Sequence, residues 1–503
     1  MRNILILLSV LGFSCSQNLN DPASREGLED SSIVIPKLNT GNKTIDQAFR
    51  IAIGDLFTNI QDFEIQIYDT SAPVIIAGLD YDRPWTRDAA INCWNAGSFI
   101  MPVIAKNTLL STLIDDGGSL RIGGQYWDAI IWATGAWNHY KCTGDEEFLQ
   151  IAYEATTNSL HYFELTELNS KYNLFRGLGW SDGVAAYEGK YAFTNGFAAA
   201  HSWPEHNPEK ISKPGYGIPM MATSTNCLYY NAYEVVVKMA NELKTDASDW
   251  SDKAISLKEA INKHLWNESG GVYRFYIDED EESKLQETLG NAYAIIFGVA
   301  DEQKTNSIFR NQFVAPAGVP CGWPPLSRYR NDSLSFGRHN GVVWPQIQGF
   351  WAQAASKFDK PAILFHELDM LAKHAVRDNQ FAEIYHPFSG EIYGGMQERN
   401  GRIIEWQATN RQTWAATAYL RMVIFGLIGT NLDANGISFS PCIPDGLDKV
   451  ELSNLQFRNM LLNISIQGSG TKISKIIING GNADRAIIPS GATGSQSIVI
   501  ELE

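Results

Sequence analysis

Val342-Val-Trp-Pro-Gln-Ile-Gln-Gly-Phe-Trp-Ala-Gln-Ala-Ala-Ser356 and Pro361-Ala-Ile-Leu-Phe-His-Glu-Leu-Asp-Met-Leu-Ala-Lys-His-Ala-Val376 place apolar side chains at three- and four-residue spacing. That is the period of an α-helix, and the short link between the two stretches makes them neighbours. The same rhythm recurs over residues 45–60, 88–110, 127–140, 146–168, 225–243, 255–266, 289–298 and 412–428, while strand signals are scarce up to Leu427. Links between these stretches are unequal. Some are tight, but 169–223, 316–341 and 381–410 are long, aromatic and rich in Gly and Pro. Long loops inside a compact domain usually carry function. Paired helices with short turns on one side and decorated loops on the other fit a ring whose rim holds the site. About twelve helices complete an (α/α)6 toroid, and ten are placed here.

After Gly429 the pattern changes to short alternating or apolar runs such as Leu461-Leu-Asn-Ile-Ser-Ile and Ile473-Ser-Lys-Ile-Ile-Ile, separated by Gly, Asn and Asp. These are strands. The fold class expected is mainly α, a toroid over residues 44–429 with a small β-sandwich-like domain over 430–503. Residues 1–15 read as a secretory signal: Arg2, the apolar run Ile4 to Phe13, then Ser14 and Cys15. Cys15 stands where bacterial lipoproteins carry their lipidated cysteine, and residues 16–43 read as the tether. The expected address is therefore exported and lipid-anchored, in the periplasm or at the outer membrane.

The chain has 503 residues with 14 Trp, 20 Tyr and 23 Phe, enough to build a large core with aromatic side chains to spare. Its formal net charge of −16 excludes a nucleic-acid partner, since a phosphate backbone would be repelled by most of the surface. The five cysteines after Cys15 form no CxxC pair and sit among apolar neighbours, so buried free thiols are expected. No cofactor and no metal site are called for.

Two carboxyl groups stand in aromatic, glycine-rich loops: Asp182 in Gly179-Trp180-Ser181-Asp182-Gly183, and Glu383 in Ala382-Glu383-Ile384-Tyr385-His386-Pro387. Cleaving an acetal needs one carboxylic acid to protonate the departing oxygen and one carboxylate to activate water. Trp180 beside Asp182 keeps water away, which favours the protonated form a general acid needs. Glu405, in Ile404-Glu405-Trp406, is the rival for the base role. Before one helix, Tyr81-Asp82-Arg83-Pro84-Trp85-Thr86-Arg87-Asp88 sets the fork-shaped donors of Arg87 beside the acceptors of Asp88, a way to hold vicinal hydroxyls; the plainer reading is a helix cap. Trp127 and Asp128 could add a second wall, and His339, Asn340 and Trp344 gather at another helix entrance. Trp85, Arg87, Asp88, Trp127, Asp128, Trp180, His339, Asn340, Trp344, Glu405 and Trp406 are thus the substrate-contact candidates.

Together these elements resemble the six-hairpin glycosidases, the clan of glucoamylases, processing α-glucosidase I and glycogen-debranching glucosidases. Trp85-Thr86-Arg87-Asp88 resembles the glucoamylase motif whose Arg and Asp hold the terminal sugar. Gly179-Trp180-Ser181-Asp182 is similar to the clan's general-acid segment in its Trp-x-Asp form, and His339-Asn340-Gly341-Val342-Val343-Trp344-Pro345 to a debranching-enzyme motif. Glu383 to Glu391 resembles the base loop, and Gln412-Thr413-Trp414-Ala415-Ala416 the helix after it. The resemblance implies an exo-acting, inverting α-glycoside hydrolase acting on an oligosaccharide or glycan, with Asp182 as acid and Glu383 as base. Such a pair stands about 6.5–9.5 Å apart. The alternatives are a non-catalytic glycan-binding lipoprotein, or a phosphorylase, epimerase or lyase on the same toroid. Sugar, linkage and oligomeric state are not legible.

Overall fold

The computed structural model describes residues 33–124, 129–179, 186–192, 203, 207–208, 218–330, 332–399 and 401–503. Cys15, Trp127, Asp128, Trp180 and Asp182 lie outside these residues.

Twelve long helical elements lead through the described part of the chain to Leu427. They are α1 (Lys43–Thr58), α2 (Thr86–Asn92, continued by a wider turn Cys93–Gly97 and by Ser98–Ile100), α3 (Pro102–Leu110), α4 (Ile131–Thr143), α5 (Glu146–Glu167) and α6 (Thr223–Leu243). Then come α7 (Ser248–His264), α8 (Thr288–Ile296), α9 (Glu302–Asn311), α10 (Pro345–Lys357), α11 (Pro361–Asp378) and α12 (Thr413–Arg421, continued by Met422–Leu427). Starts and stops follow local chemistry. Asn42 Oδ1 accepts from the amides of Thr44 and Ile45 at 3.0 and 3.3 Å to open α1, and Asp145 Oδ1 takes the Phe148 amide at 3.0 Å to open α5. Pro345 and Pro361 occupy first-turn positions, where a missing N–H costs nothing.

The stretch 88–110, read as a single helical run, is two helices. Pro102 has no amide to continue the ladder, and Met101 leaves helical geometry at φ −143°, ψ 66°. Helix α9 is an addition to the expected set. Only Thr305 and Ile308 of it are buried, so its apolar stripe is too thin to read.

Even- and odd-numbered helices differ in burial. Helices α2, α8 and α12 are buried on nearly every side, and α4 and α10 almost so, whereas α1, α7 and α11 bury one stripe. The packing order explains this. Helix α2 packs on α4, α4 on α6, α6 on α8, α8 on α10 and α10 on α12, and α12 returns to α2, while odd helices lie against this closed series from outside. Two glycines allow the closest approaches. A Cβ on Gly135 would stand 2.9 Å from the Cα of Ala90, and one on Gly349 2.9 Å from the Cβ of Ala418.

The C-terminal residues form a six-stranded and a three-stranded sheet. Strands Lys449–Phe457 and Met460–Gln467 pair antiparallel, and Met460–Gln467 pairs parallel with Gly494–Leu502. The six-stranded sheet reaches back into the segment read as a tether: Lys37–Asn39 is its edge strand, pairing with Glu451–Ser453. A three-residue strand is too short for alternation to announce it, and its partner lies over 400 positions away. Inserted hairpins also lack a legible signal, among them Met396–Arg399 with Arg402–Glu405.

The cysteines at 93, 142, 227, 321 and 442 are buried free thiols. Burial pushes the Cys142 thiol up to about 12, so it stays protonated and is a poor nucleophile. Among the described residues no group of His, Cys, Asp and Glu could hold a metal ion, and no helix is long and apolar enough to cross a membrane.

Candidate active site

Candidate side chains stand at the N-terminal ends of three even helices. Arg87 and Asp88 sit in the first turn of α2, Trp344 immediately precedes α10, Trp414 is in the first turn of α12, and Glu383 lies in the connection from α11 to α12. The helix-cap reading of the Trp85–Asp88 stretch does not hold. Trp85 occupies the cap without a side-chain cap bond, and the Thr86 hydroxyl donates to the Gly123 carbonyl at 2.9 Å. Arg87 and Asp88 are nearly fully buried, and the Arg87 guanidinium lies 5.6 Å from the centroid of the Trp414 ring. Trp414 meets Trp344 edge-on at 5.0 Å, and Trp344 stacks on His339 at 4.4 Å. Sequence positions 87, 339, 344 and 414 thus share one aromatic wall.

Glu383 is held from two directions. Its Oε1 accepts from Arg338 Nη2 at 2.6 Å, and its Oε2 accepts from the Thr409 amide at 2.9 Å. Its side chain is 3% exposed. Each oxygen keeps a second lone pair, so the carboxylate is oriented without being saturated. Arg338 is itself fixed, donating from Nη1 to the Gly394 carbonyl at 2.9 Å. Beneath the loop, the buried Asp55 of α1 takes the Phe381 amide at 2.8 Å and pairs with Arg411, while the Gln412 amide donates to the Phe381 carbonyl. An outer helix therefore pins the segment carrying the carboxylate.

Tyr81 belongs to the same space. Burial first, then the charges of Glu383 and Asp88, raise its phenol well above the ordinary tyrosine range, against the opposing pull of Arg338. The phenol thus sits within electrostatic reach of both carboxylates together. Tyr81 and Arg338 flank the motifs without having a role legible in the sequence, and Asp55 belongs to no motif. Proximity to a motif does not say where a side chain points.

Other candidates separate. Glu405 is exposed, at the end of the outer strand of the hairpin, opposite Met396. Trp406 is half-buried, 5.4 Å from the Arg399 guanidinium. Trp85 is 41% exposed, with the Arg83 guanidinium 5.6 Å from its ring. Asn340 is buried, and its Oδ1 takes the Leu326 amide at 2.7 Å, which makes it a loop staple. His339 adopts a left-handed backbone at φ 62° beside it.

The segment leading to Asp182 is described as far as Gly179. The Gly179 amide donates to the Tyr187 hydroxyl at 2.9 Å, and an added Cβ would lie 2.2 Å from the Phe275 ring and 3.0 Å from Glu287 Oε1. Only glycine fits there. Glu287, buried before α8, accepts from the Ser224 hydroxyl at 2.6 Å. The entry to the Trp180–Asp182 segment is thereby fixed on packed groups.

Comparison with known proteins identifies the family. A family model described as the mannosylglycerate hydrolase MGH1-like glycoside hydrolase domain matches residues 128–415, and one described as the glycosyl hydrolase family 65 C-terminal domain matches residues 431–482. The chain is 22% identical over 303 residues to N,N'-diacetylchitobiose phosphorylase of Vibrio proteolyticus, an alignment covering 55% of this chain. It spans only 37% of that relative's length. Among solved structures, a sialidase superposes with a TM-score of 0.67 at 15% identity over 92% of this chain and 43% of its own. The GH63 mannosylglycerate hydrolase from Thermus thermophilus in complex with glucose superposes with a TM-score of 0.54 at 13% identity, over 75% of this chain and 99% of its own. At these identities the structural matches speak for the fold alone. With more than half of its residues matched by the one family model, in the span that brings Glu383, Arg338, Trp344 and Trp414 together, this chain belongs to the MGH1-like glycoside hydrolases of the six-hairpin glycosidase clan.

Proposed function

We propose that the closed series of even helices is an (α/α)6 toroid, and that the protein is an exo-acting, inverting glycoside hydrolase releasing a terminal sugar from an oligosaccharide or glycan. Glu383 is the general base and Asp182 the general acid. One observation carries the reading above the rest: a buried carboxylate is oriented by Arg338 and the Thr409 amide, and the Tyr81 phenol lies within electrostatic reach of both it and Asp88. A base must be held in place to take a proton from water, and burial in a polar cradle does this. The clan resemblance adds the α linkage, and the signal ending at Cys15 adds a cell-surface address.

A phosphorylase is the second reading, favoured by the curated relatives, which are N,N'-diacetylchitobiose phosphorylases. Phosphate would then replace water as nucleophile, and no carboxylate base is needed. A dianionic phosphate would instead be repelled by Glu383. The test is cleavage of a panel of disaccharides and aryl glycosides with and without phosphate, with NMR of the first-formed anomer. Phosphate-independent cleavage with inversion is expected; a sugar 1-phosphate as the product would overturn the hydrolase.

Arg87 offers an independent check on the sugar-holding end. If its guanidinium binds hydroxyls more tightly in the transition state, Arg87→Ala should lower kcat/KM by about 2–4 kcal/mol equivalent. Thermal unfolding of the variant reports whether the fold is kept. Full activity in a folded Arg87→Ala protein would remove Arg87 from the site.

A further inference from the structure

At the opposite end of the helix ring lies a cavity of about 190 Å³. All six even helices contribute to it, and they do so with residues beyond their first turns, from Trp94 in α2 to Phe425 in α12; Thr430–Leu432 of the C-terminal strands completes its wall. It is therefore distinct from the end where Arg87, Trp344 and Trp414 stand at helix starts. Between the two lies a plug. The guanidinium of the fully buried Arg421 is 4.0 Å from the Trp94 ring centroid and 4.3 Å from that of Phe350, and it donates to the side-chain oxygens of Gln353 and Asn95. Trp94 and Gln353 line the cavity, so Arg421 backs it directly.

The lining has the makeup of a ligand site. Trp94, Trp137, Phe297 and Phe425 supply flat apolar faces, while Asn138, Asn231 and Asn431 supply amides. Aromatic faces take the C–H surface of a sugar ring and amides take its hydroxyls. The Oγ1 of Thr430, in the wall, is buried without a hydrogen-bond partner among the described residues. An unpaired buried hydroxyl is costly, and a ligand oxygen would satisfy it. The volume suits one ring, since a cavity of roughly 150 Å³ holds a benzene molecule.

Charge narrows the class. Lys141 and Lys238 both line the cavity. Lys141 Nζ donates to the Leu432 carbonyl at 3.3 Å and makes no ion pair among the described residues. Among the described residues Lys238 has only an exposed contact with Glu234 at 4.0 Å, which solvent screens. Burial above all lowers the Lys141 ammonium to about 8, with Lys238 and Arg421 adding to the fall and Asp433 opposing it. An anion placed between the lysines would relieve that cost. We propose that this cavity is a second ligand site, taking a single hexose-sized ring that carries one acidic group, carboxylate or phosphate ester.

Calorimetric titration of the full chain with glucose, glucuronate, glucose 6-phosphate and inorganic phosphate tests this, in the wild type and in Arg87→Ala, Trp137→Leu and Lys141→Gln. In Arg87→Ala, where the sugar-holding end is weakened, at least one acidic sugar should bind one equivalent at least tenfold tighter than glucose or phosphate alone. Which of the two acidic sugars binds identifies the acidic group. Lys141→Gln should erase the preference for acid, and Trp137→Leu should weaken binding tenfold or more with circular dichroism unchanged. If Trp137→Leu fails to fold, Lys141→Gln decides alone. Absence of binding to Arg87→Ala, binding by inorganic phosphate as tight as by either sugar, or an acid preference that survives Lys141→Gln would overturn the proposal.

Discussion

Glu383→Gln is expected to lower kcat by about 10²–10⁴-fold on every substrate, good or poor leaving group alike, because the base activates water whichever group departs. The substitution is nearly isosteric. The amide can still accept from Arg338 or from the Thr409 amide, so the loop should persist, and unchanged circular dichroism would confirm it. The contrast is Glu405→Gln. That carboxylate is exposed at a hairpin end, and its loss should leave kcat within a few-fold of wild type. Steady-state kinetics of the two variants side by side separate the roles. An inactive Glu405→Gln with an active Glu383→Gln would assign the base to Glu405, and full activity in both would deny the base role to either glutamate.

Asp182→Asn should show the complementary pattern. A general acid matters in proportion to how poorly the departing oxygen holds negative charge, so natural glycosides should be cleaved at least about 10²-fold more slowly. Substrates with an acidic phenol should lose far less. The measurement is kcat/KM across a series of aryl glycosides of graded phenol acidity: a steep dependence should appear in Asp182→Asn and a shallow one in the wild type. Parallel losses on all leaving groups would deny Asp182 the acid role.

Much of this site is written in short motifs. Residues 87, 88, 339, 344 and 383 stand out because charged groups beside Trp, Gly and Pro at a helix entrance are poorly explained by surface or core. Arg338 and Asp55 escape notice because their importance lies in what they touch. Arg338 reaches Glu383 across 45 positions and Asp55 reaches Phe381 across 326, and no local spacing encodes such a meeting. Helix α9 escapes for a different reason, its buried stripe being two residues wide.

The sequence by itself determined the helical class, the change to strands after Gly429, the buried thiols and the carboxylate–aromatic motifs, because period, turn chemistry and composition act over a few neighbouring residues. Tertiary structure decided the rest. Closure of α12 onto α2, the return of Lys37–Asn39 into the C-terminal sheet, the burial of Glu383 against the exposure of Glu405, and the cavity lined by all six even helices all arise from contacts between segments far apart in the chain. Such contacts are set by packing in three dimensions, where a glycine at 135 or 349 fixes how near two helices lie, and one sequence read along its length holds no measure of that distance.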